Sequence, residues 1–345
     1  MAKLMTTKLT WLVLIGLCTQ ALAVDVVTRR SDGTAFRGKI TQATRESITL
    51  TRSGGQKEVF SVDDLKSVSF DGEPRQIAQA RTNERSGAID AAIATLTEVR
   101  RSGAASGKAV RAEVEFLLAR MKTRQALVDA EKVEDALAAT DAFRRANSNN
   151  FRYLEATLLQ ASLLSLKKDT DKARTLLQEV QTSTVKGFQL QAGVDMGRLM
   201  LNSGDPALAR AAFDDVISKA TDASAMAVRF DARIGRALCR LAAKDFDGAV
   251  TELDAVIKDA PAAETALLAD AWNRKGDCFR LQNQHKAAVM AYLHVDLLYP
   301  GESSHHAEAL HYLSSLWSQI GYDDRGSEAA ATLTERYPQS PWARK

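Results

Sequence analysis

Chemistry in this 345-residue chain would have to come from five histidines, two cysteines in the second half, one Ser-x-x-Lys pair and one glycine-rich run. The run "GAASGKAV", from Gly103, sets three residues between Gly103 and Gly107 where a phosphate loop needs four. Ala109 replaces the hydroxyl that would hold magnesium, so the run reads as a loop between helices. Ser165 and Lys168 have the Ser-x-x-Lys spacing of some acyl-transfer enzymes, but they close a helix before "KKDTDKA" with no oxyanion donors in view. A solvated helix end is the expectation there. His285, His294, His305, His306 and His311 all fall near the C-terminus, and His305, Glu308 and His311 are spaced to share part of a helix face. A metal needs deprotonated ligands that converge, and no Cys or Asp cluster supports them. Exposed or capping histidines are expected, with a metal site as the alternative. There is no Ser-His-Asp set, paired-carboxylate signature or zinc-protease helix, so neither an enzyme nor a cofactor is expected.

What, then, must the elements position? Apolar residues make up 45% and charged residues 26%, as in a folded soluble protein. The formal net charge is +3, two of it from Lys3 and Lys8, and no block of like charge remains. Nucleic acid is therefore not an expected partner. The opening "MAKLMTTKLTWLVLIGLCTQALA" has a basic start, an apolar stretch from Trp11 to Cys18 and a small-x-small site at Ala21-Leu22-Ala23. It predicts a signal peptide over 1–23, cleaved after Ala23, with the apolar run too short to span a bilayer. Leu17 stands where a lipid-accepting Cys18 would need a small neighbour. No later segment reads as a membrane span, so an exported, periplasmic or secreted protein is expected. Cys239 and Cys278 then remain, as two buried thiols.

Residues 24–73 alternate apolar and polar positions in "VDVVTRR", "AFRGKITQAT", "SITLTR", "KEVFSV" and "KSVSF", with turn-forming "SDGT" and "SGGQ" between them. Five short strands predict a small barrel or a strongly bent sheet, too thin to stand without support from the rest of the chain. The run "DGTAFRGKITQATRESITL" resembles the first half of SH3-like and Sm-like barrels; the RNA binding of the latter is not carried over. Pro74 marks the exit into helix.

From 74 to 345 the texture is Ala- and Leu-rich with helical periodicity. In "AWNRKGDCFRLQNQHKAAVMAYLHVDLLYP", Trp272, Gly276, Phe279, Ala288, Tyr292 and Pro300 stand at the fourth, eighth, eleventh, twentieth, twenty-fourth and thirty-second places of a unit counted from Ala269. This order resembles the tetratricopeptide repeat, a helix-turn-helix unit. Gly276 and Ala288 would let two helices cross closely, the aromatic rings would fill the gaps, and Pro300 would stop the second helix. The pattern recurs at Gly197, Ala209 and Phe213; at Ala237, Ala249, Leu253 and Pro261; and at Ser314, Trp317, Gly326 and Pro338. Weaker units centre on Ala173 and Ala92, and a degenerate one on Ala136. The anchors Ala173, Ala209, Ala249, Ala288 and Gly326 lie 36, 40, 39 and 38 residues apart. The resemblance implies a mostly α fold: an α-solenoid of about seven helix pairs behind the β head. The ending "LTERYPQSPWARK" also resembles repeats of exported bacterial envelope proteins, which lack such a head.

Such a solenoid binds peptides or proteins on the concave face of its first helices. The resemblance places Gln191, Val194, Arg198 and Leu201 there, then Asp231, Ile234, Leu238 and Leu241, then Asp270, Asn273, Asp277 and Arg280. An apolar strip of Val194, Leu201, Ile234, Leu238 and Leu241 edged by polar groups predicts a partner groove. The alternative is that these residues are core. The expected function is a non-catalytic scaffold or adaptor for a protein or peptide partner in the periplasm or cell envelope. A self-associating structural component of an envelope complex is the rival, and a carrier using the histidine-rich end a third.

Overall fold

A computed structural model describes residues 24–345; the expected signal peptide lies outside the described residues. Five strands form one antiparallel sheet: β1 (Asp25–Arg29), β2 (Ala35–Ala43), β3 (Ser47–Thr51), β4 (Lys57–Ser61) and β5 (Leu65–Ser69), in the order β4-β3-β2-β1-β5. One strand serves both halves. Ala35 to Gly38 pair with β1, Lys39 to Ala43 with β3, and the register slips between Ile40 and Gln42. Gly38 sits at this bend because a Cβ there would lie 2.5 Å from the Thr51 carbonyl oxygen. The sheet is bent rather than closed, with β4 and β5 as its edges.

Alternation sends Val27, Phe36, Ile48, Leu50, Phe60 and Val68 to one buried face. That face continues into the helices, as one apolar cluster with Phe151, Tyr153, Leu154, Met196 and Leu199. Polar contacts tie the same seam. The Gly187 amide donates to Asp63 Oδ2 at 2.8 Å, and the Arg45 guanidinium lies 3.8 Å over the Tyr153 ring.

Fourteen helices follow as seven consecutive pairs. They are α1 (Arg75–Arg85) with α2 (Ile89–Arg101), α3 (Lys108–Ala126) with α4 (Val133–Ala146), and α5 (Tyr153–Leu166) with α6 (Thr170–Gln181). Next come α7 (Lys186–Asn202) with α8 (Pro206–Lys219) and α9 (Met226–Ala242) with α10 (Phe246–Asp259). The array ends with α11 (Thr265–Leu281) and α12 (His285–Leu298), then α13 (Ser303–Gln319) and α14 (Asp323–Arg336).

The twentieth-place anchors behave as crossings demand. Ala92, Ala136, Ala173, Ala209, Ala249 and Ala288 are all 0% exposed. A Cβ on Gly276 would lie 2.7 Å from the Tyr292 ring, so that ring, rather than Ala288, is the nearest group across the pair. Phe213 is clasped from two sides, since a Cβ would meet its ring at 2.6 Å from Gly197 and closer still from Gly235. In the last pair a Cβ on Gly326 would lie 2.6 Å from the Ser314 carbonyl oxygen, which joins the expected eighth and twentieth places.

Each turn inside the last five pairs contains a left-handed residue: Lys168, Gly204, Lys244, Asn283 and Gly321, with φ of 61°, 85°, 62°, 58° and 87°. In three of these turns the next residue is an aspartate whose side chain caps the second helix: Asp169, Asp205 and Asp245. The coil also brings its two ends together. Residues of α1 and α3 (Arg81, Arg85, Arg124), of the end of α14 (Arg336) and of the C-terminal turn (Gln339, Ser340) line one cavity of about 1400 Å³, with Arg344 4.0 Å from Asp129 beside it.

Candidate partner groove

The second place of the repeat holds Glu155, Gln191, Asp231, Asp270 and Glu308, one on each of α5, α7, α9, α11 and α13. A helix repeats its face every three to four residues, so these residues form a column along the concave side together with the sixth- and ninth-place residues. The column is ionic. Arg198 Nη2 reaches Asp231 Oδ1 at 2.5 Å and Asp270 Oδ2 at 3.7 Å. Arg274 bonds Asp270 Oδ1 at 3.1 Å and Asp277 Oδ2 at 2.5 Å, and also pairs with Glu308. Asp277 further accepts from the Tyr292 hydroxyl at 2.8 Å and from Arg280 at 3.3 Å. Gln191 Nε2 donates to Asp195 Oδ1 at 3.2 Å.

Burial and like charge set the carboxyls of this wall. Desolvation, with the neighbouring Asp231 charge, pushes Asp195 up to about 6 against the pull of Arg198. Burial likewise raises Asp231 and Glu308. Asp270 is lowered: its burial is outweighed by Arg274, His305 and Arg198 together.

The expected apolar strip is divided by this arrangement. Val194 and Ile234 are 0% exposed and belong to the cores of their pairs, as the alternative reading held. Their fifth place points between neighbouring first helices, where Asn273 is also buried. Leu201, Leu238 and Leu241 are half-buried, Asp277 is buried, and Arg198 and Arg280 keep part of their side chains exposed. Asp195, Arg274 and Glu308 were not among the expected groove residues. The signal that could have found them was the second and sixth places, read down the repeats as a column.

The other chemical candidates resolve individually. "GAASG" is the loop between α2 and α3, and Ser165 donates to the Ala161 carbonyl while Lys168 takes the left-handed turn. His306 is buried rather than exposed, with Nε2 2.7 Å from Asp296 and Nδ1 2.8 Å from the Tyr337 hydroxyl. His294 stacks on Trp272, and His311 Nδ1 lies 3.0 Å from the Trp342 carbonyl. Among the described residues no group of three or more His, Cys, Asp and Glu is placed to hold a metal ion. Cys239 and Cys278 are buried and unbridged, and burial raises their thiols to about 11 and about 12. No described helix is long and apolar enough to cross a membrane.

Residues 194–264 match the family model described as "Tetratricopeptide repeat". No curated protein matches the chain. Among solved structures, it is similar to a tetratricopeptide repeat protein from Parabacteroides merdae at 15% identity and a TM-score of 0.49, covering 76% of this chain and 91% of that one. It is also similar to PilW, a widely conserved type IV pilus biogenesis factor, at 16% identity and a TM-score of 0.44, covering 69% of this chain and 98% of that one. The apo form of RapI matches at 9% identity and a TM-score of 0.45, with 77% of each chain covered. At such identities and scores nothing about partners or activity passes from these proteins to this one.

Proposed function

We propose that this chain, a tetratricopeptide-repeat protein by its family match and its seven helix pairs, is a non-catalytic scaffold or adaptor that binds a protein partner in the periplasm or cell envelope. Tetratricopeptide repeats generally mediate protein–protein contacts. The observation that carries the reading is the polar wall from Gln191 to Glu308, to which three successive first helices contribute partly exposed charged or amide groups and the fourth the buried Glu308. The residues 1–23, with their basic, apolar and small-residue zones, support the location.

A photo-crosslinking residue in place of Gln191 tests the reading in the native cell. The expected result is a discrete crosslinked protein, lost when the crosslinker is moved to the outer face at Lys286. Equal capture from both sites would count against a groove. Self-association draws on a different observation: Met290, Leu297 and Leu298 stand 57%, 70% and 62% exposed on the outer face of α12. Light scattering after size exclusion distinguishes it, because a monomer that still gives the Gln191 crosslink is an adaptor.

A further inference from the structure

The proposed groove leaves the chemistry of its guest open, and any assignment of that guest rests on the groove reading. Five carboxylates, Asp195, Asp231, Asp270, Asp277 and Glu308, share the wall with three guanidinium groups, Arg198, Arg274 and Arg280. Those cations are already engaged. Arg198 spans Asp231 and Asp270, Arg274 holds Asp270, Asp277 and Glu308, and Arg280 reaches Asp277. Among the described residues Asp195 pairs with no cation, and the Gln191 amide is its hydrogen-bond donor. His305 adds only a ring nitrogen 4.0 Å from Asp270.

A second observation lies beside that wall, where α11 meets α13. Asn273 is 0% exposed and sits within one helical turn of both Asp270 and Asp277. Its Nδ2 donates to the His305 carbonyl at 2.9 Å and to Glu308 Oε2 at 3.2 Å, which fixes the orientation of the amide. Its Oδ1 is buried with no donor. Surplus negative charge and an unpartnered acceptor both ask for a positively charged donor.

We propose that the groove takes an extended, lysine- or arginine-bearing segment of the partner protein, its cations set against Asp195, Asp231 and Asp270 on successive first helices. Packed helices stand about 8–10 Å apart, and an extended chain in the polyproline II conformation turns once every three residues and rises about 3.1 Å per residue, so cations three residues apart lie on one face and match the column. Burial raises the carboxyls of Asp195, Asp231 and Glu308, and an incoming cation would offset that cost.

The test uses the exported chain and two capped nonapeptides, three repeats of Lys-Ala-Ala and three of Glu-Ala-Ala, followed by fluorescence anisotropy. The lysine peptide is expected to bind at least tenfold more tightly. That affinity should fall at least fivefold in Asp195→Asn, and further in Asp195→Asn with Asp231→Asn. It should also weaken from pH 7.5 to pH 5 as Asp195 takes up its proton. Circular dichroism and melting of each variant separate lost binding from lost fold, and the single Asp195→Asn variant keeps the Arg198 pairs intact. Equal affinity for the two peptides, preference for the glutamate peptide, or indifference to Asp195→Asn in a folded protein overturns the proposal. The Gln191 crosslink keeps the two readings apart. A crosslinked partner whose captured segment carries no Lys or Arg ends the basic-segment inference and leaves the groove standing; loss of the crosslink ends the groove itself.

Discussion

Gly276 and Asp195 are single residues whose environments run against their types, and each yields a measurement. Gly in a helix interior costs about 1 kcal/mol relative to Ala, so Gly276→Ala would ordinarily stabilise. Here the new methyl would lie 2.7 Å from Tyr292, a fully buried ring whose hydroxyl is fixed on Asp277. Overpacking of that kind costs about 1–3 kcal/mol, so urea unfolding of Gly276→Ala should show a net loss; a gain would put the helix crossing elsewhere. Asp195 is predicted to act through pH. Its carboxyl is raised from 3.8 to about 6, so the native state binds the proton more strongly than the unfolded chain does. The stability it contributes is therefore present at low pH and lost as pH rises through that window. Asp195→Asn should exceed the parent in stability by about 1–2 kcal/mol above pH 7, a figure discounted for partial exposure, with the gap closing toward pH 4. Melts at both pH values check this; a gap independent of pH contradicts it.

At the scale of elements, the sequence and the structure agree where small residues and alternation leave no choice. All five strands and the twentieth-place anchors were legible, because a β-branched alternation or an alanine between crossing helices has few other uses. The groove was read less well. Val194 and Ile234 fit an exposed strip as readily as a core, since a spacing of three or four does not say which helix lies opposite. The ion pairs of Arg274 and Glu308 join residues 34 apart, beyond any local pattern. The left-handed turns also escaped notice, because Lys168 and Lys244 occupy the places that Gly204 and Gly321 fill elsewhere. For an L-residue with a Cβ this conformation costs about 1–2 kcal/mol. Lys244→Gly should therefore stabilise the protein by about 1 kcal/mol, the greater freedom of glycine in the unfolded chain taking back part of the gain. Destabilisation in chemical unfolding would refute this.

Across the whole molecule, head and coil share one apolar cluster, and a chain without residues 24–70 would bare Phe151, Tyr153 and Leu154. That truncated chain should melt lower than the parent and bind a hydrophobic dye; an unchanged melt would make the head an independent attachment. The meeting of the coil's ends carries a different consequence. An open array of repeats frays from its termini, because each terminal unit has one neighbour to hold it. Here the C-terminal turn faces α1 and α3 across the 1400 Å³ cavity, and Arg344 lies 4.0 Å from Asp129. The seventh pair thus has, besides the sixth, one partly exposed ion pair to the connection between α3 and α4. Unzipping from the C-terminus must also break that ion pair, which contributes about 0–1 kcal/mol, so Arg344→Ala should speed amide exchange in α13 and α14 by about fivefold at most and leave α9 unchanged; a larger change would mean a tighter closure. A nearly closed coil also admits its guests differently from an open one: a folded domain must wait for the ends to part, whereas an extended chain enters through the gap between them.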